Sequence, residues 1–232
     1  MRTVALAALL LPAASLADDW HVNAELVTDV PIMVGGHLVV ETPSRLRIGN
    51  SLGVMPGAYV DLINDTATSF EWYGDATAAI IEAVVEDALV WRSHLGWRPF
   101  AERGFYVETG YTFVGLSGGT VDESLLVEAT GEKPPSRPSG GSKFEFEAEA
   151  AMHMIDVELG WQWNVWEAVW LRTALGGAFT LSSSAKVERQ FDAPAAAAWD
   201  AFEDESEAYL VDTFESYGHT AVFSVAAGWR FH

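Results

Sequence analysis

"IDVELGWQWNV", residues 155–165, alternates without a break. Ile155, Val157, Leu159, Trp161, Trp163 and Val165 lie on one face, and Asp156, Glu158, Gly160, Gln162 and Asn164 on the other. A period of two marks a β-strand, because successive strand side chains point to opposite faces. The length also matters: a tilted strand crosses a bilayer's hydrocarbon core in about 9–11 residues.

The pattern recurs along the chain. Trp20, Val22, Ala24 and Leu26 oppose His21, Asn23 and Glu25. Ile32, Val34, Leu38 and Val40 oppose Gly35, His37 and Glu41. Leu46, Ile48, Leu52 and Val54 oppose Arg45, Arg47, Gly49, Ser51 and Gly53. Leu89, Trp91, Leu95 and Trp97 oppose Arg92, His94, Gly96 and Arg98. Phe105, Val107, Tyr111 and Phe113 oppose Tyr106, Glu108 and Gly110. Val169, Leu171, Leu175 and Phe179 oppose Trp170, Arg172, Ala174 and Gly176. Ala221, Phe223, Val225, Trp229 and Phe231 oppose Ser224, Gly228 and Arg230. With 155–165 these make about eight strands. Their connections are unequal. Short polar turns lie at Pro43-Ser44, 99–103 and 166–167, and long segments at 57–87, 118–143 and 186–218. Short turns at one end and long loops at the other predict an all-β chain: an antiparallel up-and-down transmembrane β-barrel with periplasmic turns and outer loops. A soluble sandwich with an apolar core accounts for the alternation but not for the strand lengths or the loop asymmetry.

Composition narrows the setting. The 232 residues include 10 Trp, 12 Phe and no Cys, and carry a formal charge of −20. Such acidity excludes nucleic acid as a partner, because phosphate binding needs clustered Lys and Arg. Without Cys there is no disulfide framework and no thiolate site. Residues 1–17 read as a signal peptide: Arg2, an apolar run over Val4–Leu11, then small residues with cleavage expected after Ala17. Residues 18–232 then form a single barrel domain, exported to the cell outer membrane.

If the bulky face meets lipid, the other face lines the interior. There the alternation sets Arg45, Arg47, Arg92, Arg98, Arg172 and Arg230 against Glu41, Glu108, Asp156 and Glu158. Buried charges must be paired, and the guanidinium fork suits carboxylates, so an ion-pair network is expected. The interior of an eight-stranded barrel is about wide enough for side chains to fill it. Trp97, Trp161, Trp163, Trp166 and Trp229 fall near strand ends and predict aromatic girdles at the membrane boundaries. Glu145, Glu147 and Glu149 share the outward parity of Ile155, so that strand must rise above the bilayer. At that height they are placed to share divalent cations with lipopolysaccharide phosphates, although solvated surface charge is the plainer reading.

Two loops look helical. "DATAAIIEAVVEDA" (75–88) opens on a capping Asp75, and residues 194–217 place Trp199, Phe202, Tyr209, Leu210 and Phe214 near helical spacing after Pro194. Residues 131–142 have the composition of a loop tip. His37 and Ser51 share inward parity on adjacent strands, and a register with Glu41 opposite Arg47 sets them face to face. Nucleophile-and-base chemistry needs such a pair, but an inward site does not reach lipid. No catalytic, metal or cofactor residues are assigned.

The closing "VFSVAAGWRF" resembles the final strand of Gram-negative outer-membrane β-barrels, which alternates and ends in an aromatic. The segments from Arg45 to Asn64, Leu89 to Phe100, Gly104 to Leu116 and His153 to Phe179 are similar to uncharacterised members of that group. The resemblance implies that Phe223, Val225, Trp229 and Phe231 serve as an assembly signal read by the barrel-assembly machinery. It also implies outer-membrane lipid and lipopolysaccharide as surroundings. Three functions stay open: a non-enzymatic envelope protein with a filled lumen, a narrow channel or carrier for a small solute, and, least favoured, a lipid-modifying enzyme.

Overall fold

The computed structural model describes residues 20–100, 104–115, 118–135, 144–166, 169–192 and 196–231, with the side chains of Arg230 and Phe231 excepted. The expected cleavage site after Ala17, the start at Pro194, most of the 131–142 tip and the inward reading of Arg230 lie outside the described residues.

Eight strands close a ring: β1 (His21–Val30), β2 (Met33–Glu41), β3 (Leu46–Val54), β4 (Leu89–Trp97), β5 (Phe105–Gly115), β7 (Glu145–Asn164), β8 (Val169–Arg189) and β9 (Thr220–Phe231). Neighbours are antiparallel throughout. β5 joins β7, and β1 joins β9, so no edge is left in the wall. A short β6 (Gly119–Asp122) pairs with β7 above the end of β5. Following partners around the ring from His21 visits Glu41, Arg47, Gly96, Glu108, Glu158, Gly176 and Val222, next to the partner of Val30. One circuit therefore climbs about ten residues, a stagger that suits eight tilted strands.

Alternation decides the faces. Leu26, Leu38, Ile48, Leu52, Leu95, Leu159, Leu175 and Phe223 are exposed on the outer wall, while Glu25, His37, Arg47, Arg92, Glu108, Asp156 and Arg172 are buried inside. The lower interior of the barrel is polar and its outer wall apolar, the reverse of a water-soluble sheet protein, while the interior at the long-loop end is apolar. Among the described residues no helix is long and apolar enough to cross a membrane.

Among the described residues four helices crowd the long-loop end: α1 (Gly57–Ser69), α2 (Asp75–Val85), α3 (Glu123–Thr130) and α4 (Ala196–Tyr217). Helices α1 and α3 are not evident from the sequence, because α1 carries β-branched Val60, Thr66 and Thr68, and α3 spans only 8 residues. Packing holds them. Asn64 donates to the Ala78 carbonyl, and Tyr73 donates to Asn64 Oδ1 at 2.9 Å, tying α1 to α2. Asp75 is not the cap: Gly74 takes that position and Asp75 sits in the first turn, where its charge favours the helix dipole.

The long β7 and β8 rise above the ring, where β9 no longer covers the edge of β8. Helix α4 covers it instead. Its Glu203, Glu207 and Glu215 accept the backbone N–H groups of Arg189, Val187 and Ser183 at 2.8, 2.8 and 3.2 Å. Twelve helical residues and six strand residues both span about 20 Å, so carboxylates and free amides stay in step. These acidic residues stand in for a missing strand. On its other side α4 buries Trp199 and Phe202 against Phe146 and Phe191.

Candidate functional site

The interior is the concentration of chemistry in this molecule. Near the short-turn end Arg47, from β3, reaches β5 and β7. Its Nε donates to Glu108 Oε1 at 2.6 Å, its Nη1 to Glu41 Oε2 and Gln162 Oε1 at 3.2 Å, and its guanidinium lies 4.5 Å from the centre of the Tyr106 ring. Arg98 takes both oxygens of Glu41, at 3.0 and 3.1 Å, the fork geometry that suits guanidinium and carboxylate. Arg172, from β8, crosses the lumen. It donates to Glu25 at 3.0 Å and to the Tyr106 hydroxyl at 3.1 Å, lies 3.1 Å from His37 Nδ1, and lies 3.6 Å from Glu108 Oε2, which is an ion pair and not a hydrogen bond.

Higher in the barrel Arg92 holds three acids from two other strands. It donates to Asp29 at 2.5 Å and to Glu158 at 2.6 Å, and lies 3.4 Å from Asp156. Asp156 is also bound by His94 Nε2 at 2.8 Å and by the Thr112 hydroxyl at 2.8 Å. Ser224 donates to the free oxygen of Glu158 at 3.3 Å. Glycines make this density possible. Gly160 faces Tyr106 and Gly96 faces Glu108 across paired strands, and a Cβ at either would collide with the opposing side chain.

The structure brings Arg47, Arg92, Arg98, Arg172, Glu41, Glu108, Asp156 and Glu158 into this interior. Arg45 is a correction. It lies in the turn between β2 and β3 with φ 66°, and its Nη1 donates to the Pro99 carbonyl at 3.1 Å. The turn's left-handed residue has left the alternation, so its parity no longer places its side chain. Alternation sets Glu25, His94, Tyr106 and Gln162 on the inward face without naming them as members of the ion-pair network, and Asp29 and Thr112 join them by continuing the inward parity of Glu25 and Glu108.

The aromatic girdle is a second correction. Trp97, Trp161, Trp163, Trp166 and Trp229 are all exposed, but all lie at the short-turn end, because each sits at the end of a descending strand or in the turn after it. Trp91, Phe113 and Phe179 mark the opposite margin of the apolar band. Phe223, Val225 and Trp229 face outward on β9, and Phe231 pairs with Val22.

Among the described residues the interior gathers six carboxylates (Glu25, Asp29, Glu41, Glu108, Asp156, Glu158) against four guanidiniums (Arg47, Arg92, Arg98, Arg172). Several buried polar atoms, including Glu25 Oε1, Asp29 Oδ1 and Asn23 Oδ1, have no protein partner. Ligand atoms of His94, Asp156 and Glu158 lie within 4.8 Å of one another. Arg92 occupies the position a cation would take against both carboxylates, so a metal would have to displace it. His37 and Ser51 are direct cross-strand partners and both are buried. No hydrogen bond joins them among the described residues, and His37 Nδ1 is already shared between Arg172 and Glu25.

No family model and no curated protein matches this chain. Among solved structures it is similar to CarO2 of Acinetobacter baumannii, with 12% identity over 91% of this chain and 98% of that one and a TM-score of 0.41. It is likewise similar to CarO of Acinetobacter baumannii, with 13% identity over 91% and 97% and a TM-score of 0.38. A major outer membrane protein from Thermus thermophilus is similar at 10% identity over 92% and 98%, with a TM-score of 0.39.

Proposed function

We propose that this chain is an integral protein of the Gram-negative outer membrane, a non-enzymatic envelope barrel whose interior is sealed by ion pairs. One observation carries the reading: a closed wall, apolar outside, encloses arginines that bridge carboxylates from strands across the lumen. The outward apolar residues run along strands of 9–11 residues in β1 to β5, the length that crosses the lipid band of such proteins. The sequence features that resemble a signal peptide and a closing assembly strand support the location. In this reading lipid surrounds the wall, lipopolysaccharide meets the acidic outer rim at Glu145, Glu147 and Glu149, and the assembly machinery reads β9. The surplus of carboxylates over guanidiniums favours a second reading, a narrow path for a small cationic solute.

Single-channel recording on the mature protein in planar bilayers tests this. Silence is expected from protein whose heat-modifiable migration proves a folded barrel. Discrete conductance steps from the wild type, altered in Arg92→Ala, overturn the seal and establish the path.

A further inference from the structure

Above the ion pairs the interior changes character. Val114, Met152 and Met154 point inward from β5 and β7 and form one wall of a cavity of about 460 Å³. Leu62 and Ala67 of α1 and Phe214 of α4 also line it. Below, the Arg92 cluster closes the lumen. Above, α1, α2 and α4 line it, with Leu62, Trp72 and Tyr217 exposed at its margin.

One side is low. β1 and β2 meet through only Pro31 and Ile32, whereas every other connection at this end carries helices. Beside that low rim the lining includes Leu175 and Phe223, which are 64% and 50% exposed on the outer wall. These two belong to the apolar band. The lining of the cavity therefore reaches from the apolar upper lumen to residues of the outer apolar band.

We infer that this cavity receives a single hydrocarbon chain, the acyl tail of an outer-leaflet lipid, which enters sideways over the β1–β2 turn. The inference rests on the reading of the outer wall as lipid-facing. A cavity of this size lined mostly by apolar side chains is costly to leave empty and offers water few partners. The phase that touches its opening supplies hydrocarbon. A methylene is close in size to a water's share of the liquid, about 30 Å³, so the space admits about 15 methylenes. Asp61, Asp65 and Glu71, on α1 and just after it, make the roof acidic. An anionic head group is therefore kept at the bilayer surface while its tail occupies the cavity.

The test uses the full mature chain in lipid nanodiscs, with methyl-labelled methionines. Met152 and Met154 line the cavity. Phosphatidylcholine bearing a nitroxide near the chain end should broaden their methyl signals several-fold more in the wild type than in Ala67→Trp, or in Leu62→Trp at a more exposed position, which fill the space. Equal broadening in the wild type and in both folded, heat-modifiable variants overturns the inference. So does a response of Met152 and Met154 to added decanol without nitroxide broadening, which assigns the cavity to a free apolar solute. Failure of the chain to insert at all overturns the membrane reading instead.

Discussion

Replacing Arg92 with alanine removes the cation shared by Asp29, Asp156 and Glu158, each at most 3% exposed at its side chain. Breaking one buried ion pair costs about 3–5 kcal/mol, because the remaining charge stays desolvated and uncompensated. Three acids depend on this guanidinium, although Asp156 and Glu158 keep hydrogen bonds from Thr112, His94 and Ser224. The cost of Arg92→Ala therefore falls at the upper end, about 5 kcal/mol, a large fraction of a typical domain's stability. Arg98→Ala should cost less, about 1–2 kcal/mol, because its pair with Glu41 is partly exposed and Glu41 keeps Arg47. The sharper test is rescue. Arg92→Met combined with Asp29→Asn and Glu158→Gln removes charge on both sides, and should recover most of the loss apart from about 1 kcal/mol per hydrogen bond not remade. Equilibrium urea unfolding in lipid vesicles, followed by tryptophan fluorescence and by heat-modifiable migration, measures all three variants. Arg92→Ala within about 1 kcal/mol of wild type, or a triple variant no more stable than the single, would refute the reasoning, because the cost would then not come from stranded charge.

Leu26, 77% exposed at mid-height on the outer wall, should tolerate arginine poorly: about 2–4 kcal/mol lost in vesicle unfolding if it faces the bilayer midplane. An unchanged urea midpoint for Leu26→Arg would contradict a lipid-facing wall. Burial pushes the Tyr73 phenol up to about 12. Because the fold favours its neutral form, its contribution to loop stability is intact below pH about 10 and lost as pH rises from about 10 to about 12. Difference absorbance of tyrosinate between wild type and Tyr73→Phe reads this directly, and a component titrating near 10 would show that the α1–α2 contact does not shield it.

Much of the architecture can be read from the sequence because a barrel strand obeys a local rule. The parity of Glu108, Asp156 and Arg172 follows from chain covalency alone, since neighbouring side chains on a strand must point to opposite faces. Strand length and loop asymmetry are equally local. The rule fails where the backbone leaves it: Arg45, with its positive φ, sits in a turn, so its parity does not place its side chain. It also says nothing about distances around the ring. Arg92 meets Asp29 from β1 and Glu158 from β7 because of the stagger with which eight strands close, and no window of sequence contains that stagger. The acidic run of α4 shows the same limit. As sequence, Glu203, Glu207 and Glu215 are solvated charge on a helix. Only the tertiary structure brings them to the open edge of β8, where the backbone amides of Ser183, Val187 and Arg189 need acceptors that no strand supplies. Alternation along the chain determined what faces inward, and the closure of the sheet decided what each inward group meets, because partners come from residues far apart in sequence.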